Sequence, residues 1–366
     1  MFVLFSILRR SLVAVFLITV VSAVPMFATG QGEDGTADQA DEESNVVHVY
    51  SNRHYDTDQA LFDRFEEFSG YEVQVVEAGS DEIIERLAAE GADSPADILI
   101  TADAGRLHQA STRDLFQSVD SPVLDSLVPD NLKGADDEWF ALTRRSRLIV
   151  YHNERADESD LSTYEALAGE EFRDNVLIRS SSNIYNISLL ASLIEHLGSD
   201  AAREWAEGMT ENFARPPQGG DTDQLRGVAA GEADYAISNT YYLGRLLGSS
   251  DPADVEIGEQ LSVYFPNQPG VEGSDGRGAH FNVSGAGITR HADNAKGARE
   301  LLEFLVSDEA QEQFAQANYE YPIRDDIELA PEIEQFGDFV ADDLPLYILG
   351  ENQREATMIF NEVGWQ

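Results

Sequence analysis

Apolar and polar residues alternate along the chain in blocks that predict strands and helices in turn. The short apolar runs 46–50, 73–76 and 97–101 are typical of buried strands. Between the first two runs, residues 56–68 carry apolar side chains at helical spacing, and Gly70 follows as a helix stop. Strands that alternate with helices usually pair in parallel through crossovers, so this order predicts a parallel sheet covered by helices.

The same alternation returns in the second half of the chain. It predicts strands at 148–151, 175–178, 233–238 and 280–288. The fold class that we predict is α/β with two lobes, each a mostly parallel sheet flanked by helices, and with a ligand cleft between the lobes. The strands near 140–151 and 280–288 are candidates for crossing between the lobes as a hinge, although one ordinary multi-strand sheet is the alternative.

The composition of the two N-terminal segments does not fit a folded lobe. Arg9 and Arg10 precede an apolar run that ends in small residues, which is the layout of an export signal peptide, with an uncleaved anchor as the alternative. Residues 31–45 have almost no apolar side chains, so we predict a disordered linker. The predicted segments are a signal peptide (1–30), an acidic linker (31–45), a first lobe (46–144 and 280–330), a second lobe (145–279) and a C-terminal helical tail (331–366).

Composition excludes several kinds of site. The 366 residues include no cysteine, which rules out disulfides, iron–sulfur clusters, thiolate zinc sites and a lipid-modified N-terminus. Sixty-eight acidic residues against 24 basic ones give a formal net charge of −44, a balance that repels nucleic acid. Because the acidic residues are spread over the whole chain, we interpret them as an adaptation to high salt.

Candidate chemistry is concentrated where three predicted strands end and helices begin. His54 and Tyr55 follow the first strand, Tyr185 follows the strand near 178, and Tyr241 and Tyr242 follow the strand near 237. In open α/β sheets, ligands bind beyond the carboxyl ends of the strands, so these side chains are expected to meet in one cleft. The alternative for each residue alone is a packing tyrosine or a surface histidine.

Tyrosine side chains at helix starts suit a hard, highly charged metal ion. The partial positive charge of a helix N-terminus favours phenolate over phenol, whose ordinary pKa is about 10. A bound trivalent cation would complete the deprotonation. Phenolate is a hard oxygen donor, so the pattern points to Fe(III) rather than to a soft metal.

These residues together resemble a known family. Segments 51–55, 94–97 and 179–186, with the pair Tyr241-Tyr242, resemble the periplasmic ferric-iron-binding proteins of ABC importers, most closely the cyanobacterial-type branch. The resemblance runs from about Val46 to near the C-terminus. It implies the fold of a type II periplasmic binding protein, Fe(III) as the bound ion, an ABC transporter permease as partner, a monomeric state and no enzymatic activity.

The resemblance also implies a ligand set. The implied metal ligands are His54 and Tyr55 from the first lobe and Tyr185, Tyr241 and Tyr242 from the second. Some members of the family carry a glutamate ligand where this chain has Ala102, and Asp103 beside it is expected to point elsewhere. The five-ligand, tyrosine-rich form of the site is therefore the one expected here.

Four phenolates around Fe(III) leave one net negative charge, which calls for cations nearby. The candidates are Arg53, Arg179 and the cluster Arg144, Arg145 and Arg147, because arginine stays charged and donates hydrogen bonds. The alternative for the cluster is a basic patch near the hinge that pairs with local acids. The segment from Ser180 to Asn183 could in addition cradle an anion, although five protein ligands leave little need for one.

Other functions find less support in the chain. There is no nucleophile elbow, phosphate-binding loop, dinucleotide fingerprint or zinc-protease motif, so an enzyme is not expected. The nearer alternative is a binding protein of the same fold for a polyamine or an oxyanion.

Overall fold

The computed structural model describes residues 45–53 and 55–366, with the backbone alone at Ser80. The predicted signal peptide and nearly all of the predicted linker lie outside these residues, and so does His54. Within the described ranges, no helix combines the length and the apolar character needed to cross a membrane.

The predicted β-α-β-α-β unit is present at the start of the described chain. Its elements, with the two helices that follow, are β1 (Val46–Ser51), α1 (Asp56–Ser69), β2 (Glu72–Glu77), α2 (Ser80–Glu90), β3 (Ile98–Thr101), α3 (Ala104–Thr112) and α4 (Pro122–Leu127). β2 and β3 both pair with β1 in parallel, which confirms the predicted crossovers. Helix α1 ends at Gly70, whose φ of 80° lies in the left-handed region that favours glycine.

The middle of the chain is built around one long strand. Its elements are β4 (Phe140–His152), β5 (Val176–Leu177), α5 (Ile184–Leu197), α6 (Ser199–Asn212), α7 (Asp221–Ala230), β6 (Tyr235–Asn239), α8 (Thr240–Leu247), α9 (Pro252–Glu259) and β7 (Leu261–Tyr264). The remainder comprises β8 (Phe281–Ile288), α10 (Ala295–Leu305), α11 (Asp308–Asn318), α12 (Pro331–Glu334), α13 (Leu346–Glu351) and α14 (Gln353–Val363).

The strands follow the order β2-β1-β3-β8-β4-β6-β5, with β7 also paired to β4. Pairing is parallel for β1–β2, β1–β3 and β5–β6, as predicted. β8 and β4, in contrast, run antiparallel to their neighbours, so the sheet is mixed. The first half of β4 pairs with β8 and its second half pairs with β6 and β7, which makes β4 the strand that both halves of the sheet share.

Apolar side chains collect on the two halves of this sheet. The first core surrounds β1, β3 and β8, and takes Phe140 and Leu142 from β4. The second core surrounds β5 and β6, lies on both faces of that half, and takes Leu148 and Ile149 from β4. Both cores belong to one compact unit of the chain. We identify them with the two lobes, while the exact segment boundaries stay a prediction.

The C-terminal tail packs on both cores. Leu346 and Leu349 of α13 are part of the first core. Ile359 and Phe360 of α14 belong to the second core. The tail therefore connects the cores on one side, in addition to β4, the strand that both halves of the sheet share.

Candidate metal centre

Each predicted tyrosine lies where a strand has ended and a helix begins. Tyr55 occupies the N-cap position of α1 with an extended backbone. Tyr185 is the second residue of α5, and the side chain of the N-cap Asn183 accepts a hydrogen bond of 3.0 Å from its backbone N–H. Tyr241 and Tyr242 are the second and third residues of α8, which follows β6 without a loop. The local turns thus direct four phenol rings to the carboxyl end of the sheet.

The four rings meet between the two cores. The Tyr241 hydroxyl donates to the Tyr185 hydroxyl over 3.1 Å. The ring centres of Tyr241 and Tyr242 are 4.3 Å apart, and Tyr55 approaches Tyr241 edge-on with 6.5 Å between ring centres. Tyr55 is attached to the first core, and the other three to the second. The structure therefore brings all four together, although they come from three places in the sequence.

A cleft opens over these rings. Its volume is about 380 Å³, and Tyr55, Tyr185 and Tyr242 are part of its wall. Tyr241 is 1% exposed and lies behind them. Two larger cavities among the described residues, about 600 and 660 Å³, lie against the first core and the tail and contain none of these tyrosines. The chemistry of the candidate centre is thus confined to the smaller cleft.

Burial keeps the phenols protonated. It raises the pKa of Tyr55 to about 12, and repulsion from Tyr185 adds to the shift. Burial and the neighbouring Tyr242 likewise raise the pKa of Tyr185 to about 12, and burial raises the pKa of Tyr241 well above its ordinary value. In the metal-free protein the loss of water dominates, and the expectation that a helix N-terminus together with a trivalent cation favours phenolate stays a prediction. A cation must therefore displace the phenolic protons in order to bind.

Three of the predicted arginines surround Tyr185. The guanidinium carbons of Arg145, Arg147 and Arg179 lie 5.0, 6.0 and 5.4 Å from the centre of its ring. Arg145 and Arg147 are two residues apart on β4, so they point to the same face of the sheet. Positive charge is therefore available beside a phenol that the sequence predicts to be a metal ligand.

Arg144 belongs to the opposite face, and the prediction that it joins the arginine cluster at the site is wrong. Its guanidinium donates to the carbonyl of Pro322 and forms an ion pair of 2.7 Å with Asp325. The alternation of side chains along a strand accounts for this, because neighbours on β4 point to opposite faces. Arg144 fixes the segment after α11 instead.

Arg53 is held by two carboxylates. It forms ion pairs with Asp58 at 2.7 Å and Glu320 at 2.9 Å, and its side chain is 1% exposed. Its guanidinium lies 4.8 Å from the centre of the Tyr55 ring. Because both carboxylates already compensate its charge, Arg53 mainly positions that ring. Glu320 had no local signal in the sequence, since it lies more than 260 residues from Arg53.

Arg245 is a residue of the site that the sequence analysis missed. Its guanidinium carbon lies 4.3 Å from the ring centre of Tyr55, 4.9 Å from that of Tyr241 and 5.9 Å from that of Tyr242. The signal was available, because Arg245 follows Tyr241 by four residues and so shares its face of α8. A single cation thus contacts tyrosines attached to both cores.

A buried network fixes Arg147. Its guanidinium donates to the side-chain oxygens of Asn186 at 2.6 Å, Asp221 at 3.1 Å and Asn239 at 3.2 Å. Asp221 is fully buried and also lies 3.7 Å from Arg179. One carboxylate therefore serves two arginines on this side of the cleft. Asp221 was also missed, because nothing local distinguishes it from the many other acids of the chain.

The residues predicted to cradle an anion differ in where they lie. Asn183 lines the cleft, whereas the Ser180 hydroxyl hydrogen-bonds to Ser182 at 3.0 Å and does not line it. Ser182 does line the cleft. An anion site formed by Ser180 and Asn183 stays a prediction.

The neighbouring segment agrees with the expectation for a site without a carboxylate ligand there. Ala102 lines the cleft, and Asp103 faces away from it. Asp103 accepts hydrogen bonds of 2.8 Å from the backbone of Gly105 and the side chains of Ser188 and Asn282. Among the described residues, no group of three or more histidine, cysteine, aspartate or glutamate side chains is arranged to hold a metal.

Comparisons with known proteins agree with the predicted fold and with ferric iron as the bound metal. Residues 60–340 match the family model of the bacterial extracellular solute-binding proteins. The chain is 44% identical over 347 residues to iron uptake protein A1 of Synechocystis, covering 95% of both chains, and 45% identical over 328 residues to iron uptake protein A2, covering 90% and 92%. A Trichodesmium structure solved with iron and citrate is 43% identical, with a TM-score of 0.81, and covers 88% of this chain and 100% of its own.

Proposed function

This chain belongs to the bacterial extracellular solute-binding proteins, in the branch of the ferric-iron-binding proteins, and we propose that it captures Fe(III) with tyrosinates and passes it to an ABC importer. Iron uptake proteins are its relatives over nearly the whole chain. The assignment of the ligands is our own and is supported by the cluster of four phenols between the two cores.

The observation behind this proposal is that four phenol rings gather beside arginines. Tyr185 and Tyr241 are already linked by a hydrogen bond between their hydroxyls. Fe(III) favours hard anionic oxygen donors and replaces the protons that burial otherwise retains. The arginines then face phenolates rather than phenols, and their charge offsets the negative charge that four phenolates bring.

The same arrangement supports a clamp. Tyr55 comes from the first lobe, and Tyr185, Tyr241 and Tyr242 come from the second, so neither lobe alone holds the complete donor set. An ion bound to all of them favours the closed arrangement, in which the lobes meet, over any open one. β4, which both halves of the sheet share, and the start of β8, which pairs with it, are our proposed hinge. The importer would then distinguish loaded from empty protein by shape.

The remaining elements of the proposal concern parts outside the described residues or outside the chain. We propose that His54 is the fifth ligand, and that residues 1–30 are a signal peptide for export to the periplasm. One relative is called a periplasmic Fe(3+)-binding protein, which supports this location. A monomer that docks on a membrane permease is the form in which we expect the protein to act.

The alternative solutes fit the cleft less well. A polyamine would be repelled by the arginines beside Tyr185 and Tyr55. An oxyanion would suit those arginines but leaves the tyrosine cluster without a role, because phenols of raised pKa donate only one hydrogen bond each. A ferric ion uses both groups at once.

Metal selectivity tests the proposal. Metal-free protein is mixed separately with ferric citrate, ferrous iron and zinc, desalted, and analysed for metal content. We expect one ferric ion per chain and markedly weaker retention of the divalent ions, since phenolate donors favour a hard trivalent cation. A protein that retains zinc or ferrous iron more tightly than ferric iron would sink the assignment.

The role of His54 has its own test. His54→Ala should weaken ferric-iron binding but shift the visible absorption band less than any tyrosine substitution, because a neutral imidazole does not produce phenolate-to-iron charge transfer. His48→Ala provides a matched control on β1, since His48 pairs with Asp97 rather than with any of the four tyrosines. Equal iron binding in the parent and in His54→Ala would remove His54 from the ligand set.

A further inference from the structure

One face of α8 is turned toward the first core. Tyr241, Gly244, Arg245 and Gly248 are spaced by three, one and three residues, which places them on the same side of the helix and of its C-cap. Leu243 and Leu246, on the other side, are buried in the second core. The face thus combines a candidate ligand, a cation and two positions without side chains.

Tyr319 contacts this face from the end of α11. It is the C-cap residue of that helix, with φ 61° and ψ 24°, in the left-handed region. A residue with a side chain is strained in this conformation, which glycine would adopt freely. Its preceding helix packs Phe314 into the first core, so Tyr319 is anchored to the first lobe.

Gly244 of α8 and Gly248 at its C-cap make room for Tyr319. A Cβ atom at Gly248 would overlap the phenol end of Tyr319, and one at Gly244 would lie 2.9 Å from its Cβ and 2.7 Å from the side chain of Ile333. The hydroxyl of Tyr319 donates a hydrogen bond of 3.3 Å to the carbonyl of Gly248. The ring therefore lies in a groove that only glycine at both positions leaves open.

The contact continues into the residues that hold the candidate ligands. The guanidinium of Arg245 donates to the side chain of Asn318, which in turn donates to Glu320. Glu320 pairs with Arg53, and both Arg53 and Arg245 lie over the Tyr55 ring. Tyr319 thus stands between two residues of a polar chain that runs from α8 to the first lobe.

We propose that Tyr319, seated in the groove of Gly244 and Gly248, is an interlobe latch that sets how long the clamp stays closed. The proposal rests on the proposed function and adds a positioning residue that touches no metal. The latch holds α8, and with it Tyr241, against the first lobe through a contact away from the metal ligands. The left-handed backbone of Tyr319 is retained because it aims the ring into the groove.

Gly248→Ala is the sharpest variant. The backbone at this position has a φ of −91°, which alanine adopts without strain, so the only local change is a methyl group in the seat of Tyr319. Tyr319→Phe is the milder second variant and removes only the hydroxyl. Its matched control is Tyr264→Phe, which removes a hydroxyl–carbonyl bond of the same 3.3 Å length inside the second lobe.

Two readouts are needed. Loss of iron to excess EDTA is followed by the fading of the visible band, and spin labels on Glu82→Cys and Glu256→Cys report the distance between the lobes. The chain contains no cysteine, so both labels are specific, and α2 and α9 pack on different cores. We expect Gly248→Ala to lose iron about tenfold faster than the parent, with an unshifted visible band and a larger population of long label distances.

Tyr319→Gly separates the latch from ordinary packing. Glycine relieves the left-handed strain, so stability of the metal-free protein should hold or rise while iron loss becomes faster. A residue with only a structural role would not change these two quantities in opposite directions.

The outcomes discriminate between the two proposals. Identical label distances in the parent and in Gly248→Ala, with and without iron, would overturn the latch, as would equal rates of iron loss. If the parent takes up no ferric iron, the proposed function fails, and the label distances of the metal-free proteins alone decide whether the latch exists.

Discussion

The two sides of the cleft contribute unequally to the candidate centre. The second lobe supplies Tyr185, Tyr241 and Tyr242, which contact each other through a hydroxyl–hydroxyl bond and close ring packing. Among the described residues, the first lobe supplies Tyr55 alone, held between Arg53 and Arg245. The difference suggests an order of events in which iron binds to the second lobe and the first lobe closes on it.

The two sides of the cleft also differ in how many carboxylates pair with each arginine. On the second side, one buried carboxylate, Asp221, serves both Arg147 and Arg179. On the first side, two carboxylates, Asp58 and Glu320, serve the single Arg53. Among these residues, positive charge therefore exceeds negative charge on the second side, where we propose that three phenols become phenolates. The first side supplies one phenol and has no such excess.

The largest effect is expected from two separate single variants, each of which removes the hydroxyl of one tyrosine on one side of the cleft. Tyr241→Phe should lower the ferric-iron affinity by more than about 100-fold, the upper limit of what outer-shell changes cost metal sites. Tyr55→Phe should leave weaker but measurable binding, because the three donors of the second lobe remain. Competition against citrate measures both affinities.

Tyr235→Phe is the control for this pair, because Tyr235 is a buried tyrosine of β6 whose hydroxyl contacts Asp160 and not the cluster. It should bind iron like the parent. If Tyr55→Phe proves as damaging as Tyr241→Phe, the two sides are equivalent and the proposed order of events is wrong.

Removing one carboxylate from each side should affect stability next. Asp221→Asn is expected to lower the free energy of unfolding of the metal-free protein by about 3 kcal/mol, because Arg147 then stays buried without a counter-charge. Glu320→Gln should cost less, since Arg53 keeps Asp58. Urea titration measures both, with Glu309→Gln, at the exposed pair with Arg64, as a control near zero. Equal losses for Asp221→Asn and Glu320→Gln would contradict the difference in charge balance.

Alkaline pH should lower the stability of the metal-free protein. The folded-state pKa of Tyr55 and Tyr185 is about 12, above the value of about 10 for an unfolded chain. Between these values the unfolded chain releases phenolic protons that the folded one keeps, so the metal-free protein should lose stability as pH rises from 10 toward 12. Melting temperatures across this range test the sign, and Tyr185→Phe should flatten the decline. An equally steep decline in Tyr185→Phe would show that the raised pKa of Tyr185 does not contribute to the loss of stability.

Much of this arrangement could be predicted from local sequence. Tyrosines directly after apolar strand patterns indicated the convergence of Tyr55, Tyr185, Tyr241 and Tyr242, because topology places strand ends together. The face of α8 also contained enough information to find Arg245. The alternation of side chains along β4 could have excluded Arg144 from the site.

The rest depends on tertiary contacts that local patterns do not encode. Glu320 reaches Arg53, and Tyr319 reaches α8, only because the chain returns from α11 to the cleft. The raised pKa of the tyrosines in the metal-free protein had no signal in the sequence, since a helix N-terminus is visible there whereas the extent of burial is not.

Salt is expected to have the smallest effect per residue, because its action is spread over the whole surface. With 68 acidic residues against 24 basic ones, dilution should raise the mutual repulsion of the surface carboxylates and lower the melting temperature. Binding within the cleft should change less than stability, because the arginine–tyrosine contacts are buried. A melting temperature that is unchanged or higher at low ionic strength would contradict the interpretation as salt adaptation.

The central claim is that ferric iron is held by phenolates of this cluster, and an optical titration tests it most directly. Metal-free protein is titrated with ferric citrate, and the spectrum of the parent is compared with that of Tyr241→Phe. We expect a broad visible charge-transfer band that saturates at about one iron per chain and is weakened and shifted in the variant. A parent that stays colourless, or a variant whose band matches that of the parent, would contradict it.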